Sequence, residues 1–149
     1  MREHPIHPPT DVAAWDEVPL RKHESGFRLH PLLGPLVASQ RESLKIDLPP
    51  CCPVSGNPQP GSVLTLDYEP AAEVLESYSV SPVVRQFIGG FRGRGRYAPV
   101  RDLEGMLRTL VQMAADALEV PVLGTADLVL DTGQKRVEVN AEPKPAGGA

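Results

Sequence analysis

Seventeen prolines in 149 residues confine regular structure to a few segments, because proline fixes φ, removes a backbone donor and is excluded from helix interiors and central strands. Where they crowd, at Pro5, Pro8, Pro9, Pro19, Pro31 and Pro35, no helical or strand period is sustained. Residues 1 to 39 are therefore expected to form an extended N-terminal arm. Trp15, Phe27, Leu29, Leu32 and Leu33 supply apolar anchors, so the arm should dock on the domain or on another subunit. Residues 40 to 142 suffice for one domain with a buried core. Residues 143 to 149, made of Pro, Lys, Gly and Ala, should form a loose tail.

Within the domain, Ser43 to Leu48 alternates Leu44, Ile46 and Leu48 with Ser43, Lys45 and Asp47, the period of a strand with one buried face. It ends at Pro49-Pro50. A second strand, Ser62 to Tyr68, stops at Pro70 and should pair with the first. Ser81-Pro82 suits a helix start, followed by Val83, Val84, Phe87 and Ile88 at helical spacing and a stop at Gly89-Gly90. A longer helix opens near Asp102 and runs to about Leu118, with Leu103, Met106, Leu107, Leu110, Val111, Ala114 and Leu118 in one apolar stripe. Thr125 to Leu130 and Lys135 to Asn140 flank Asp131-Thr132-Gly133-Gln134, which reads as a hairpin with a bulge. This order predicts an α+β fold, a four-stranded antiparallel sheet with two helices on one face.

The net charge of −4 gives no general attraction to nucleic acid or to a membrane surface. No apolar run approaches a membrane span, and the polar start lacks the apolar core of a signal peptide, so a soluble, cytoplasmic protein is expected. The two cysteines, Cys51 and Cys52, are adjacent, which excludes a loop-closing disulfide within the chain and a Cys-x-x-Cys zinc site. His4, His7, His23 and His30 all lie in the arm, and no metal site is expected.

Cys52-Pro53-Val54-Ser55-Gly56-Asn57-Pro58 lies between the first two strands. A thiol held by a Pro- and Gly-rich turn at a strand end is placed where a nucleophile can meet a substrate. The competing reading is an inert core cysteine. The string Cys-Pro-x-(Ser/Thr)-Gly-x-Pro resembles the nucleophile motif of the NADPH-dependent nitrile reductases, which reduce 7-cyano-7-deazaguanine in queuosine biosynthesis through a covalent thioimide. The resemblance selects Cys52 over Cys51, since the proline must follow directly. It also implies the tunnelling fold, in which subunits join into a ring-shaped barrel with sites between them, hence a homo-oligomer.

The resemblance covers roughly residues 40 to 142. It places a substrate-binding carboxylate at Glu104, where two oxygens suit the adjacent ring N–H and amino group of a guanine-like edge, although a first-turn glutamate is also favoured by the helix dipole alone. Glu76-Ser77-Tyr78-Ser79-Val80-Ser81 falls where the family carries Glu-Ser-Lys-Ser-Leu-Lys, which implies substrate contacts from Glu76 and Ser77 and a cofactor contact from Ser79. Both family lysines are replaced, by Tyr78 and Ser81. Leu103 stands at the family's histidine, and Gln59 at its general acid. Asp67, Glu76 and Glu104 remain alternative proton donors.

Gly90 to Tyr97 alternates glycine and arginine, and Arg92, Arg94 and Arg96 could clamp the phosphates of NADPH in place of the lysines; three arginines in a loop are also a common solvated surface. The function expected from the resemblance is capture of 7-cyano-7-deazaguanine on Cys52 and its reduction with NADPH. A related enzyme that adds ammonia to the thioimide and forms an amidine is the alternative. A non-catalytic module binding RNA or a partner protein is the second alternative.

Overall fold

The computed structural model describes residues 20–32, 38–91 and 102–145. Its elements are β1 (Arg21–Lys22), β2 (Arg28–Pro31), β3 (Glu42–Asp47), β4 (Val63–Tyr68), β5 (Glu73–Leu75), α1 (Ser77–Val84) followed by a 3-10 turn (Arg85–Phe87), α2 (Leu103–Leu118), β6 (Val122–Leu130) and β7 (Gly133–Ala141). The fold is α+β, with a four-stranded antiparallel sheet in the order β3-β4-β6-β7 and a three-stranded sheet in the order β1-β2-β5. No helix among the described residues is long and apolar enough to cross a membrane.

The large sheet follows its period-two pattern. Ladder pairs Leu44↔Leu66 and Ile46↔Leu64 continue through Gly124 and Ala126 to Val139 and Val137, which puts one apolar face against the helices. Ser43, Lys45, Asp47, Thr65, Asp67, Thr125 and Asp127 fall on the other face. The β6–β7 register runs unbroken from Val122↔Ala141 to Leu130↔Gly133. The expected bulge is therefore absent, and Asp131-Thr132 forms a two-residue turn.

Helix α2 matches its expected span because each local signal agrees. Asp102 caps it, its Oδ1 accepting from the Gly105 amide at 2.6 Å, a contact worth about 1 kcal/mol. Leu103, Met106, Leu107, Leu110, Val111, Ala114 and Leu118 are all buried. The helix lies so close to β6 that a Cβ added at Gly124 would run into the Val111 side chain.

Three expectations are corrected. Residues 21–31 are not an extended arm: β2 pairs with both β1 and β5, and Phe27 and Leu29 are buried in the common core. Arg21 secures this sheet with bonds of 2.8–3.1 Å to the Glu73 carboxylate and one of 2.7 Å to the Ala117 carbonyl near the end of α2. Trp15 and Leu33, like His4 and His7, lie outside the described residues. Helix α1 starts four residues before Ser81, because the Glu76 carboxylate caps the Tyr78 amide at 2.8 Å and Pro82 sits inside the helix. The start of the tail is held as well: the Lys144 amide donates to Asp116 at 2.9 Å, and Gln112 to the Glu142 carbonyl at 2.7 Å.

The close approach at Gly124 generates a test. Gly124→Ala should destabilise the fold by about 1–3 kcal/mol, the usual cost of overpacking, read as a lower midpoint in urea unfolding with an unchanged slope. An unchanged midpoint would mean that α2 does not rest on β6 at this position.

Candidate active site

The loop from residue 48 to 62 carries the nucleophile candidate and is closed by its own backbone. Gly56, at φ +72°, turns the chain through the left-handed region that glycine enters without steric cost. The amides of Cys51 and Cys52 then both donate to the Asn57 carbonyl, at 3.0 and 2.9 Å, and the Gly56 amide donates to the Cys52 carbonyl at 2.8 Å.

Side chains fasten the loop to the β6–β7 hairpin. The Asn57 amide donates to Asp131 Oδ1 at 3.0 Å, and the Asp131 backbone amide returns a bond to Asn57 Oδ1 at 3.0 Å. The Gln59 backbone amide donates to the Val129 carbonyl at 2.7 Å. Ser62 Oγ accepts from the Val129 amide at 2.8 Å and donates to the Gln59 carbonyl at 2.8 Å.

The two adjacent thiols meet opposite environments. Cys51 is buried, its sulfur 3.3 Å from the Pro49 carbonyl oxygen. Burial, with the neighbouring Cys52 adding a little, pushes its pKa up to about 11. Cys52 is partly exposed. The Ser55 hydroxyl, followed by the Ser55 and Val54 amides, favours the thiolate and holds its pKa below the ordinary thiol value. The Ser55 amide lies 3.5 Å from the sulfur. Ser55 Oγ itself accepts from the Asn57 amide at 3.2 Å, which leaves its proton available to the sulfur.

Gln59, at the position expected for an acid, serves as a brace. Its Nε2 donates to the Ser55 carbonyl at 3.0 Å and to Asn57 Oδ1 at 3.3 Å. Leu103 is buried in the core and offers no proton.

Glu104 reaches the same end of the sheet. Its Oε2 accepts from Lys135 Nζ at 2.6 Å, and Lys135 lies on β7 four residues beyond Asp131. The Lys135 bond, the helix's own amide and the charges of Lys135 and Arg108 together hold the Glu104 carboxyl below its usual pKa.

Glu76 and Ser77 lie at the opposite end. Tyr68, the last residue of β4, accepts from the Leu75 amide at 2.9 Å, whereas the 3-10 turn after α1 leads to Gly89, whose amide donates to the Cys51 carbonyl at 3.0 Å. Helix α1 thus crosses the sheet from end to end. Eight α-helical and three 3-10 residues span roughly 12 Å and about 6 Å. Within one chain Cys52 and Glu104 share an end, and Glu76, Ser77 and Asp67 do not.

Glu76 is buried. One oxygen caps α1, and the other lies 3.1 Å from the Arg28 guanidinium but outside hydrogen-bond geometry, so it has charge compensation without a directed donor. Ser79, which the resemblance implies as a cofactor contact, has its hydroxyl engaged within the chain. It is buried, its hydroxyl accepting from the Arg28 amide at 2.9 Å and donating to the Glu76 carbonyl at 2.7 Å. Tyr78 and Ser81 are exposed and uncharged, so this segment offers no cation to the phosphates of NADPH. Arg92, Arg94 and Arg96 lie outside the described residues.

No protein-family model matches the chain, and no curated protein matches it.

At neutral pH, iodoacetamide should modify one thiol per native chain, and peptide mapping should place it on Cys52. The rate should reach half its maximum at a pH below the roughly 8.5 of an ordinary thiol. Ser55→Ala should move that midpoint up, because removing the hydroxyl donor disfavours the thiolate. Equal labelling of Cys51 would contradict the burial described here.

Proposed function

We propose that the chain is a nitrile-reductase-like enzyme of 7-deazaguanine metabolism, in which Cys52 captures 7-cyano-7-deazaguanine covalently. The carrying observation is the contrast between the paired thiols: the one followed by proline in the resembling motif is the exposed, thiolate-favouring one. Addition of the Cys52 thiolate across the C≡N bond forms a C–S bond, and the nitrogen takes one proton to give the thioimide. Nothing leaves, so the adduct carries the full mass of the ligand.

Glu104 takes the role of holding the guanine-like edge. Its carboxylate, ionised at neutral pH as any glutamate is, can accept from adjacent N–H donors. Glu76 and Ser77, at the far end of the sheet, can join such a site only from a second copy. That requirement, together with β3 and β7 as sheet edges without a further strand among the described residues, supports the reading of a tunnelling-fold homo-oligomer with sites between subunits.

Reduction of the thioimide with NADPH is the outcome that the resemblance implies, and it requires phosphate-binding cations other than the two lysines replaced by Tyr78 and Ser81, with Arg92, Arg94 and Arg96 the candidates. A second reading, addition of ammonia to give an amidine, is favoured by the commitment of Gln59 to bracing the loop and by the uncharged Tyr78 and Ser81.

Intact-mass measurement after incubation with 7-cyano-7-deazaguanine tests the capture. Wild type should gain one ligand mass and Cys52→Ala none. Glu104→Gln should slow capture roughly ten- to a hundredfold, the loss of charged hydrogen bonds worth about 1.5–3 kcal/mol. An adduct without consumption of NADPH would exclude the reductive outcome. No adduct on wild type would overturn the capture itself.

A further inference from the structure

The β6–β7 turn touches both halves of the candidate site. Through Asp131 it holds Asn57, whose carbonyl gathers the amides of Cys51 and Cys52. Through Lys135 it holds Glu104, at 2.6 Å. The five residues from Asp131 to Lys135 thus set the nucleophile loop and the start of α2 against the same support.

The Lys135–Glu104 contact contributes little to holding the helix in place. Asp102 already caps α2, and its docking rests on the buried stripe from Leu103 to Leu118. The Lys135 and Glu104 side chains are 48% and 37% exposed, and pairs this open add about 1 kcal/mol of stability or less. What the contact does determine is where the carboxylate points and how far into acid it stays ionised.

We infer that Lys135 is a positioning residue for ligand recognition, fixing the direction of the Glu104 carboxylate toward a ligand that presents adjacent N–H donors, as the pyrimidine edge of a deazaguanine does. This inference rests on the proposed assignment of Glu104 to that edge and adds a residue that the resembling motifs do not contain. The geometry carries it: a strand residue 31 positions away in sequence reaches the carboxylate at hydrogen-bond distance. The charges acting on Glu104 are Lys135 from β7 and Arg108 from α2, with Asp102 at the helix cap and Asp131 at the turn nearby in the chain. Without Lys135, the carboxyl should take up a proton at higher pH and lose its fixed direction.

The test measures non-covalent binding of 7-cyano-7-deazaguanine to the full chain carrying Cys52→Ala, by calorimetry from pH 4 to pH 8, with thermal melts as a check on folding. Adding Lys135→Met should weaken binding about tenfold at pH 7. It should also move the low-pH loss of binding upward, toward the ordinary glutamate value. Lys135→Arg should restore most of the affinity and return the acid limb downward.

Glu104→Gln should flatten the acid limb. If Lys135→Met binds as the parent does with the same pH profile while Glu104→Gln binds more weakly, Lys135 has no positioning role and the reading of Glu104 stands. If the parent does not bind, or Glu104→Gln binds equally well, the assignment of Glu104 fails and the inference falls with it. If Lys135→Met melts early and binds weakly, an Arg variant with parental stability and uncorrected affinity would also overturn it.

Discussion

Two backbone amides converging on one carbonyl organise the chemistry of this chain. The Cys51 and Cys52 amides both donate to Asn57, and that convergence decides which sulfur faces inward and which outward. The two adjacent side chains leave the turn toward different surroundings, Cys51 buried and Cys52 partly exposed. Once the turn is closed, Cys51 is committed to the core, and Cys52 to a rim lined by the Ser55 hydroxyl and two amides. The reciprocal bond between Asn57 and Asp131 then ties the closed turn to the most extensively paired hairpin of the sheet. A reactive thiol needs such a rigid support, since each donor to the sulfur is short-ranged and directional.

Elements whose signals are local were legible in the sequence. Strands β3, β4, β6 and β7 and helix α2 carry their own period, breakers or cap, and they fold where those signals place them. Strands β1, β2 and β5 were hidden because two to four residues cannot display a period, and because β2 finds its partner β5 more than forty residues away in sequence. The proline-rich start read as an arm for the same reason: Pro31 is the last residue of β2, beyond the two residues that pair with β1, where its missing donor is tolerated. Helix α1 was misplaced because glutamate is an uncommon cap and Pro82 lies inside the helix rather than at its start.

The candidate site divides along the same line. The preference for Cys52 over Cys51 came from the position of one proline, and burial independently separates the two thiols. Lys135 was invisible, since its partner Glu104 lies 31 residues away and neither residue is unusual in its own segment. The place of Ser79 as a buried cross-link between β2 and α1 was likewise invisible, because Arg28 lies 51 residues away in sequence. The separation of Glu76 from Cys52 by the length of α1 needed the strand ladder and the course of the helix, which no motif records.

The central claim is that Cys52 attacks a nitrile carbon while Glu104 holds the other edge of the same molecule. A crystal structure of the chain incubated with 7-cyano-7-deazaguanine tests both parts at once. The account predicts continuous density from Cys52 Sγ to the former nitrile carbon, with Glu104 within hydrogen-bond distance of the amino-pyrimidine edge and Cys51 unmodified. A ligand bound away from Cys52, or bonded to it with Glu104 still directed only at Lys135, would contradict it.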